Sequence, residues 1–224
     1  MRISAVVTGA LAVLLLVLVA VGWSPLLSFD RDVSEELHRS AVAEPGFTQL
    51  NRVLSDWVWD PWTMRTLVAA AAVTLWWRRE RRLAVWVAVT TLLAGALQHG
   101  IKAAVGRTRP SWPDPVDSAH YAAFPSGHAM AATVSCGLLL WVLALRWREE
   151  WRGWGALTGA AVVSVVGVGW TRVYLGVHWP SDVLGGWLLG WCCVAVAILA
   201  YRRLEARRPP TTGADDGSRM GDTR

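Results

Sequence analysis

Six times between residues 3 and 201 the sequence returns to an apolar run of roughly bilayer-crossing length, at about 3–23, 63–77, 83–100, 128–146, 154–170 and 182–201. A hydrocarbon core of roughly 30 Å needs about 20 helical residues, and it demands that backbone polar groups be satisfied within each helix. The chain is therefore predicted to be all-α and polytopic, with six transmembrane helices. Composition agrees, with 54% hydrophobic and only 17% charged residues, below the share of about a quarter charged in soluble domains. The second run is short for a crossing and draws on Pro61 and Trp62. Of sixteen tryptophans, Trp23, Trp62, Trp76, Trp77, Trp147, Trp151 and Trp154 stand near span ends, where indole rings anchor at the interface.

Arginine placement sets the expected orientation. "RRERR" at 78–82, "RWREEWR" at 146–152 and "YRRLEARR" at 201–208, together with Arg2, fall on one side. By the positive-inside rule that side is the cytoplasm, and it holds both termini of a multi-pass cell-membrane protein. Segment 24–62 then lies outside. There Asp30, Asp32, Glu35, Glu36, Glu44, Asp56 and Asp60 outnumber Arg31, Arg39 and Arg52. The net charge of +5 thus reflects topology, and no motif calls for a nucleic-acid partner. Residues 2–23 are read as a retained span because no A-x-A cleavage site follows them.

Residues 1–208 are expected to form one membrane-embedded domain. Within it, "RDVSEELHRSAV" and "GFTQLNRVLSDW", parted by Glu44, Pro45 and Gly46, are expected as short interfacial helices roofing the outer face. Residues 209–224, polar and rich in Gly, Pro and Asp, are expected to be a disordered cytoplasmic tail. Cys136, Cys192 and Cys193 lie inside spans and are read as packing residues.

Titratable residues converge on the outer side from three distant segments. "HGIKAAVGRTRPSWPDP" brings Lys102, Arg107 and Arg109; "FPSGHAM" brings His128; "WTRVYLGVHWPSDVLGG" brings Arg172, His178 and Asp182. Ionisable groups near hydrocarbon cost about 2.5–3.5 kcal/mol each at a helix centre, and function is the usual reason to keep them. Lys102, Arg109 and Arg172 suit a tetrahedral oxyanion, the arginines through a planar fork of donors. Pro125 fits a helix start, Ser126 a cap and hydroxyl donor, and Gly127 a close approach of backbone to ligand. A helix N-terminus adds its own attraction for anions. Asp182, four residues after His178, can fix that imidazole's tautomer and leave its other nitrogen as nucleophile. His128, without an equally close acid in sequence, fits the proton donor to the departing alkoxide.

"KAAVGRTRP" (102–110), "PSGH" (125–128) and "TRVYLGVHWPSD" (171–182) resemble the three-part signature K-x6-R-P, P-S-G-H and S-R-x5-H-x3-D of the type 2 phosphatidic acid phosphatase superfamily. All three stand in order over residues 102–182. The resemblance implies a six-helix membrane fold with an extracytoplasmic site that dephosphorylates lipid phosphates or pyrophosphates. It implies a phosphohistidine intermediate and no metal or other cofactor. By the same resemblance His178 is the nucleophile, Asp182 its partner and His128 the general acid. Lys102, Arg109, Ser126, Gly127 and Arg172 form the phosphate cradle. Thr171 departs from the pattern's serine but keeps a hydroxyl, so a retained hydrogen bond is expected.

Three other readings share these residues: a lipid phosphoryl or headgroup transferase, a vanadate-dependent haloperoxidase, and a non-catalytic lipid binder. The choice among phosphatidic acid, phosphatidylglycerol phosphate and polyprenyl pyrophosphate, like the oligomeric state, leaves no mark in the sequence. Gln98 and His99 are expected to meet interfacial water, His120 and Tyr121 to lie in an exposed loop, and His38 on a solvated roof face. Asp114 and Asp117 stand in a proline-rich loop without other hard-metal ligands.

Overall fold

The computed structural model describes residues 1–147 and 153–207. Every regular element among them is helical: α1 (Arg2–Ala20), α2 (Ser24–Ala43), α3 (Pro45–Val53), a π-helical turn (Leu54–Val58), α4 (Pro61–Trp77), α5 (Arg81–Val105), α6 (Gly127–Trp147), α7 (Trp154–Tyr174) and α8 (Pro180–Ala206). Five of these, α1, α5, α6, α7 and α8, are long and apolar enough to cross a membrane. The sixth expected crossing is α4. Its 17 residues rise only about 25 Å, short of a full hydrocarbon core. Pro61 and Trp62 do belong to it: Asp60 caps the helix, its carboxylate accepting the Trp62 N–H at 2.7 Å and the Thr63 N–H at 3.2 Å. The expected tail, 209–224, lies outside the described residues, as does most of the basic segment 146–152.

Helices α6 and α8 form the centre. Helix α6 packs on α8, α7, α4 and α5, while α1 runs along α8. Between α4, α5, α6 and α8 the core is filled by Val68, Leu83, Val87, Met130, Leu138, Trp141, Val194 and Ile198. The outward side chains of α1, such as Ile3, Val6 and Val13, are exposed, as a lipid-facing helix requires.

Small residues let the two central helices touch. A Cβ at Gly186 of α8 would stand 2.7 Å from the Ser126 carbonyl oxygen, and one at Gly190 would meet Thr133 at 2.8 Å. Without a side chain there, backbones approach closely, the usual device of helix pairs in lipid. One turn further along α6, Gly137 leaves the space that Val194 fills. The start of α6 is thereby pressed against the start of α8.

The amphipathic pattern of 24–58 gives helices α2 and α3, broken at Glu44 where Pro45 begins α3. They pack against α7, and α2 also against α8. Thr48 closes the corner, its hydroxyl donating to the Ala41 carbonyl at 2.7 Å. One expectation fails here. His38 is buried and stacks on Trp112 with ring centroids 4.3 Å apart, because the loop 106–126 folds back under α2. Burial pushes its pKa below the ordinary 6.5.

Candidate active site

Helix α5 stops where Gly106 takes φ 60° and returns its N–H to the Lys102 carbonyl at 3.0 Å. The left-handed turn is glycine's to make. It throws the chain into a long loop across the end of the bundle. Ala123 N–H donates to the Arg107 carbonyl at 2.8 Å, and Ser126 N–H donates to the Asp182 carbonyl at 2.9 Å. Backbone hydrogen bonds thus stitch the loop's start to its end, and its end to α8. Ser126 also stands where a cap is expected, its Oγ accepting the Ala129 N–H at 3.4 Å.

At the other side α7 ends with Gly176 at φ 68°. The Arg172 carbonyl takes both the Val177 and the His178 N–H at 3.2 Å. Trp112 covers this turn, its indole N–H donating to the Gly176 carbonyl at 2.9 Å. Pro180 then opens α8, and Asp182 sits in its first turn.

His178 is almost wholly buried, at 1% exposure. Its Nδ1 stands 3.3 Å from Asp182 Oδ2 and its Nε2 stands 3.1 Å from Arg109 Nη1. A carboxylate only accepts, so the Asp182 contact places the proton on Nδ1 and the lone pair on Nε2. Burial, then the charges of Arg109, Arg172 and Lys102, hold the imidazole pKa well below its ordinary value. A neutral ring whose unprotonated Nε2 accepts only from Arg109 can act as a nucleophile once that donor turns to an incoming anion. The same Asp182 Oδ2 accepts the Trp179 N–H at 2.9 Å, so capping the helix and orienting the imidazole are done by one oxygen.

His128, in the first turn of α6, is partly open and lies within electrostatic reach of Arg172, His178, Arg109 and Lys102. The structure therefore gathers His128, His178, Asp182, Lys102, Arg109 and Arg172 at one end of the bundle, with Ser126 and Gly127 between them. The cations are held by protein acceptors. Lys102 Nζ donates to the Ala122 carbonyl, and Arg109 donates to the carbonyls of Tyr121 (2.9 Å), His120 (3.1 Å) and Val177. Arg172 Nη1 donates to Ser55 Oγ at 2.7 Å and faces Asp56 Oδ1 at 3.8 Å and Asp117 Oδ2 at 3.9 Å. Burial and the nearby charge of Asp117 push the Asp56 carboxyl up. Thr171 keeps its hydrogen bond, but to its own helix, through the Val168 carbonyl at 2.9 Å.

Other placements depart from expectation. Gln98 is buried and its amide nitrogen borders Gly127, 3.2 Å from where a Cβ would stand, while His99 one residue on is exposed. Two further residues hold the site together, one of them, Asp30, without a signal in the sequence and the other, Arg107, placed at the outer face by sequence but without its partners. Arg107 donates through Nη1 to Asp182 Oδ1 (2.7 Å) and Ser181 Oγ (2.7 Å), and through Nη2 to Asp30 Oδ2 (2.6 Å). Asp30 of α2, 1% exposed, also accepts the Ser181 N–H at 2.9 Å. Asp30 reads in sequence as one more acid of an amphipathic segment, and Arg107 as a residue between fixed motif positions. Only the spacing of Arg107 from Arg109, which puts both on the same loop, hinted at a shared site.

Known proteins place this arrangement. The chain is similar to the undecaprenyl-diphosphatase of Sulfolobus acidocaldarius, 28% identical over 150 residues covering 63% of this chain and 62% of that protein. It is also similar to phosphatidylglycerophosphatase B of Escherichia coli K12, 41% identical over 90 residues covering 39% of this chain and 33% of that protein. The aligned segments thus span less than two thirds of these relatives' length. In fold it matches the crystal structure of a transmembrane PAP2 type phosphatidylglycerolphosphate phosphatase from Bacillus subtilis, with a TM-score of 0.80, 21% identity, and 92% of this chain and 99% of that one covered. Residues 83–206, from α5 through α8 and so across all three signature segments, match the PAP2 superfamily, and the chain belongs to that superfamily.

Proposed function

We propose that the protein hydrolyses the terminal phosphate of a membrane lipid phosphate or pyrophosphate through a phosphohistidine on His178. The observation that carries this reading is the imidazole's setting. It has Asp182 on one nitrogen, an arginine fork on the other, and an environment that keeps it neutral. Nε2 attacks phosphorus, the bond from phosphorus to the leaving oxygen breaks, and His128 delivers a proton to that oxygen. Lys102, Arg109 and Arg172 with the Ser126–Gly127 backbone neutralise the equatorial oxygens as charge spreads over them. A water then attacks the phosphohistidine, His128 takes its proton, and inorganic phosphate leaves.

The positive-inside count supports a cytoplasmic location for both termini and an extracytoplasmic one for the site. The substrate phosphate would lie at headgroup depth with its apolar chain between helices. No residue in the cradle calls for a metal ion. Relatives named for an undecaprenyl diphosphatase and a phosphatidylglycerophosphatase both fit this chemistry and support a substrate class of lipids bearing a terminal phosphate.

The test is phosphate release from a panel of phosphatidic acid, phosphatidylglycerol phosphate and a polyprenyl pyrophosphate by detergent-purified protein, with chelator present. Substrate labelled in the terminal phosphate should leave acid-labile, alkali-stable label on the parent and none on His178→Ala. Phosphate release at the parental rate by folded His178→Ala would overturn the assignment.

A further inference from the structure

Asp117 stands beside the proposed phosphate cradle. Its carboxylate faces Arg172 across 3.9 Å, and it is the acid that acts most strongly on Arg172 and, after Asp182, on Arg109. Both arginines belong to the proposed cradle. The carboxylate is only 15% exposed, and its Oδ2 has no hydrogen-bond partner, nor has Arg172 Nε, although both atoms are buried. The nitrogen that faces Asp117, Arg172 Nη1, is already bonded to Ser55 Oγ, so the buried Asp117 Oδ2 is left with only a loose ion pair, an expensive arrangement for a carboxylate oxygen. The pair has drawn together without closing, as a loose internal substitute for a bound oxyanion. Around it every other cation of the cradle is also engaged by the same loop, Lys102 by the Ala122 carbonyl and Arg109 by those of His120 and Tyr121.

The membrane supplies a reason for such a competitor. Ordinary phospholipid headgroups are phosphodiesters with a single negative charge, present in great excess at the depth of the site. A terminal phosphate carries about −1.5 to −2 at neutral pH. An open pocket of three cations would fill with the former. A carboxylate already resident sets a threshold that the more highly charged group passes and the diester does not, which is discrimination by a repulsive element as much as by an attractive one.

We propose that Asp117 is a specificity-determining residue whose carboxylate occupies the anion position beside Arg172 until a dianionic terminal phosphate displaces it, excluding monoanionic phosphodiesters. This rests on the lipid phosphatase reading, and it deepens that reading by naming what the site rejects. Residues 116–122 of the loop move with Asp117 while Arg107 and Ser126 stay held to α8, freeing the carbonyl-held donors of Lys102 and Arg109 for the substrate.

Binding is read apart from turnover. Titration calorimetry with inorganic phosphate on detergent-purified protein should give Asp117→Asn an affinity at least about tenfold above the parent, since a like charge has been removed from the cradle. Asp114→Asn, the same neutralisation on an exposed part of the loop, should leave it unchanged. In mixed micelles, phosphatidylglycerol should inhibit Asp117→Asn hydrolysis of a lipid phosphate and leave the parent unaffected. Equal or weaker phosphate binding by Asp117→Asn, or equal inhibition of both proteins, would overturn the proposal. Should that variant not fold, hydrogen exchange on the parent decides: saturating phosphate should speed exchange around Val116–Ser118, and unchanged or slowed exchange refutes displacement. A parent that binds phosphate but releases none from any lipid would count against the lipid phosphatase reading alone.

Discussion

Arg107 Nη1 donates to Asp182 Oδ1 at 2.7 Å, on the opposite carboxylate oxygen from the one that meets His178. The same guanidinium reaches Asp30 at 2.6 Å, so one buried cation balances two buried carboxylates from different helices. Removing it takes from both carboxylates the cation they share and leaves them only hydrogen-bond donors. Arg107→Met should lower stability by about 3–5 kcal/mol, and Arg107→Met with Asp30→Asn should recover part of the loss. Thermal unfolding in detergent checks the order parent, double variant, single variant. A single variant as stable as the parent would show that the carboxylates find other partners.

The approach of α6 to α8 sets where His128 stands relative to His178. A methyl at Gly186 would collide with the Ser126 carbonyl oxygen at 2.7 Å and with Ala129 Cβ at 3.0 Å. Gly186→Ala should therefore cut kcat at least about tenfold, since displacements near 1 Å are felt strongly in chemistry. Gly95→Ala, where the added carbon meets nothing within 4 Å, should be silent. Equal rates for the two variants would mean that α6 can slide without consequence.

If His128 protonates the leaving oxygen, its loss must depend on how much that oxygen needs a proton. His128→Ala should slow release from an alkyl lipid phosphate by about 10²–10⁴-fold. The same variant should lose far less activity on p-nitrophenyl phosphate, whose leaving group departs as a stable anion. Parallel losses on both substrates would assign His128 to binding instead.

His178 also predicts a pH effect on stability. Folding holds its pKa well below 6.5 through burial and three nearby cations, so the unfolded chain takes up a proton that the folded one refuses. Above about 6.5 this contributes nothing. As pH falls below that value the penalty grows, until the pKa of the folded state is reached. His178→Asn should accordingly lose less in Tm between pH 7.5 and 5.0 than the parent; identical losses would place the acid sensitivity elsewhere.

Much of this organisation was legible in the residues, and the reasons are physical. Apolar runs betray crossing helices because lipid leaves the backbone no alternative, and the Glu44-Pro45-Gly46 break was readable because proline cannot continue a helix. Asp182 could be paired with His178 because four residues at a helix start bring side chains together. The contact of Asp30 with Arg107 joins residues 77 apart, and that of Ser55 with Arg172 joins residues 117 apart. Such pairings depend on how the roof docks, and an acid on an amphipathic helix looks the same whether its face meets water or a buried arginine. Helix α4 shows a different limit: its apolar content is plain, but at 17 residues it falls below the length that marks a crossing.

Asp30 has one more consequence. Because α2 supplies one of the two carboxylates that Arg107 meets, and Arg107 holds the other, Asp182, which contacts His178, the packing of the long helices alone does not fix this chain of contacts. With α2 undocked, Arg107 would lose Asp30 and could turn away from Asp182, so the setting of the His178 ring is tied to a helix that holds none of the signature residues.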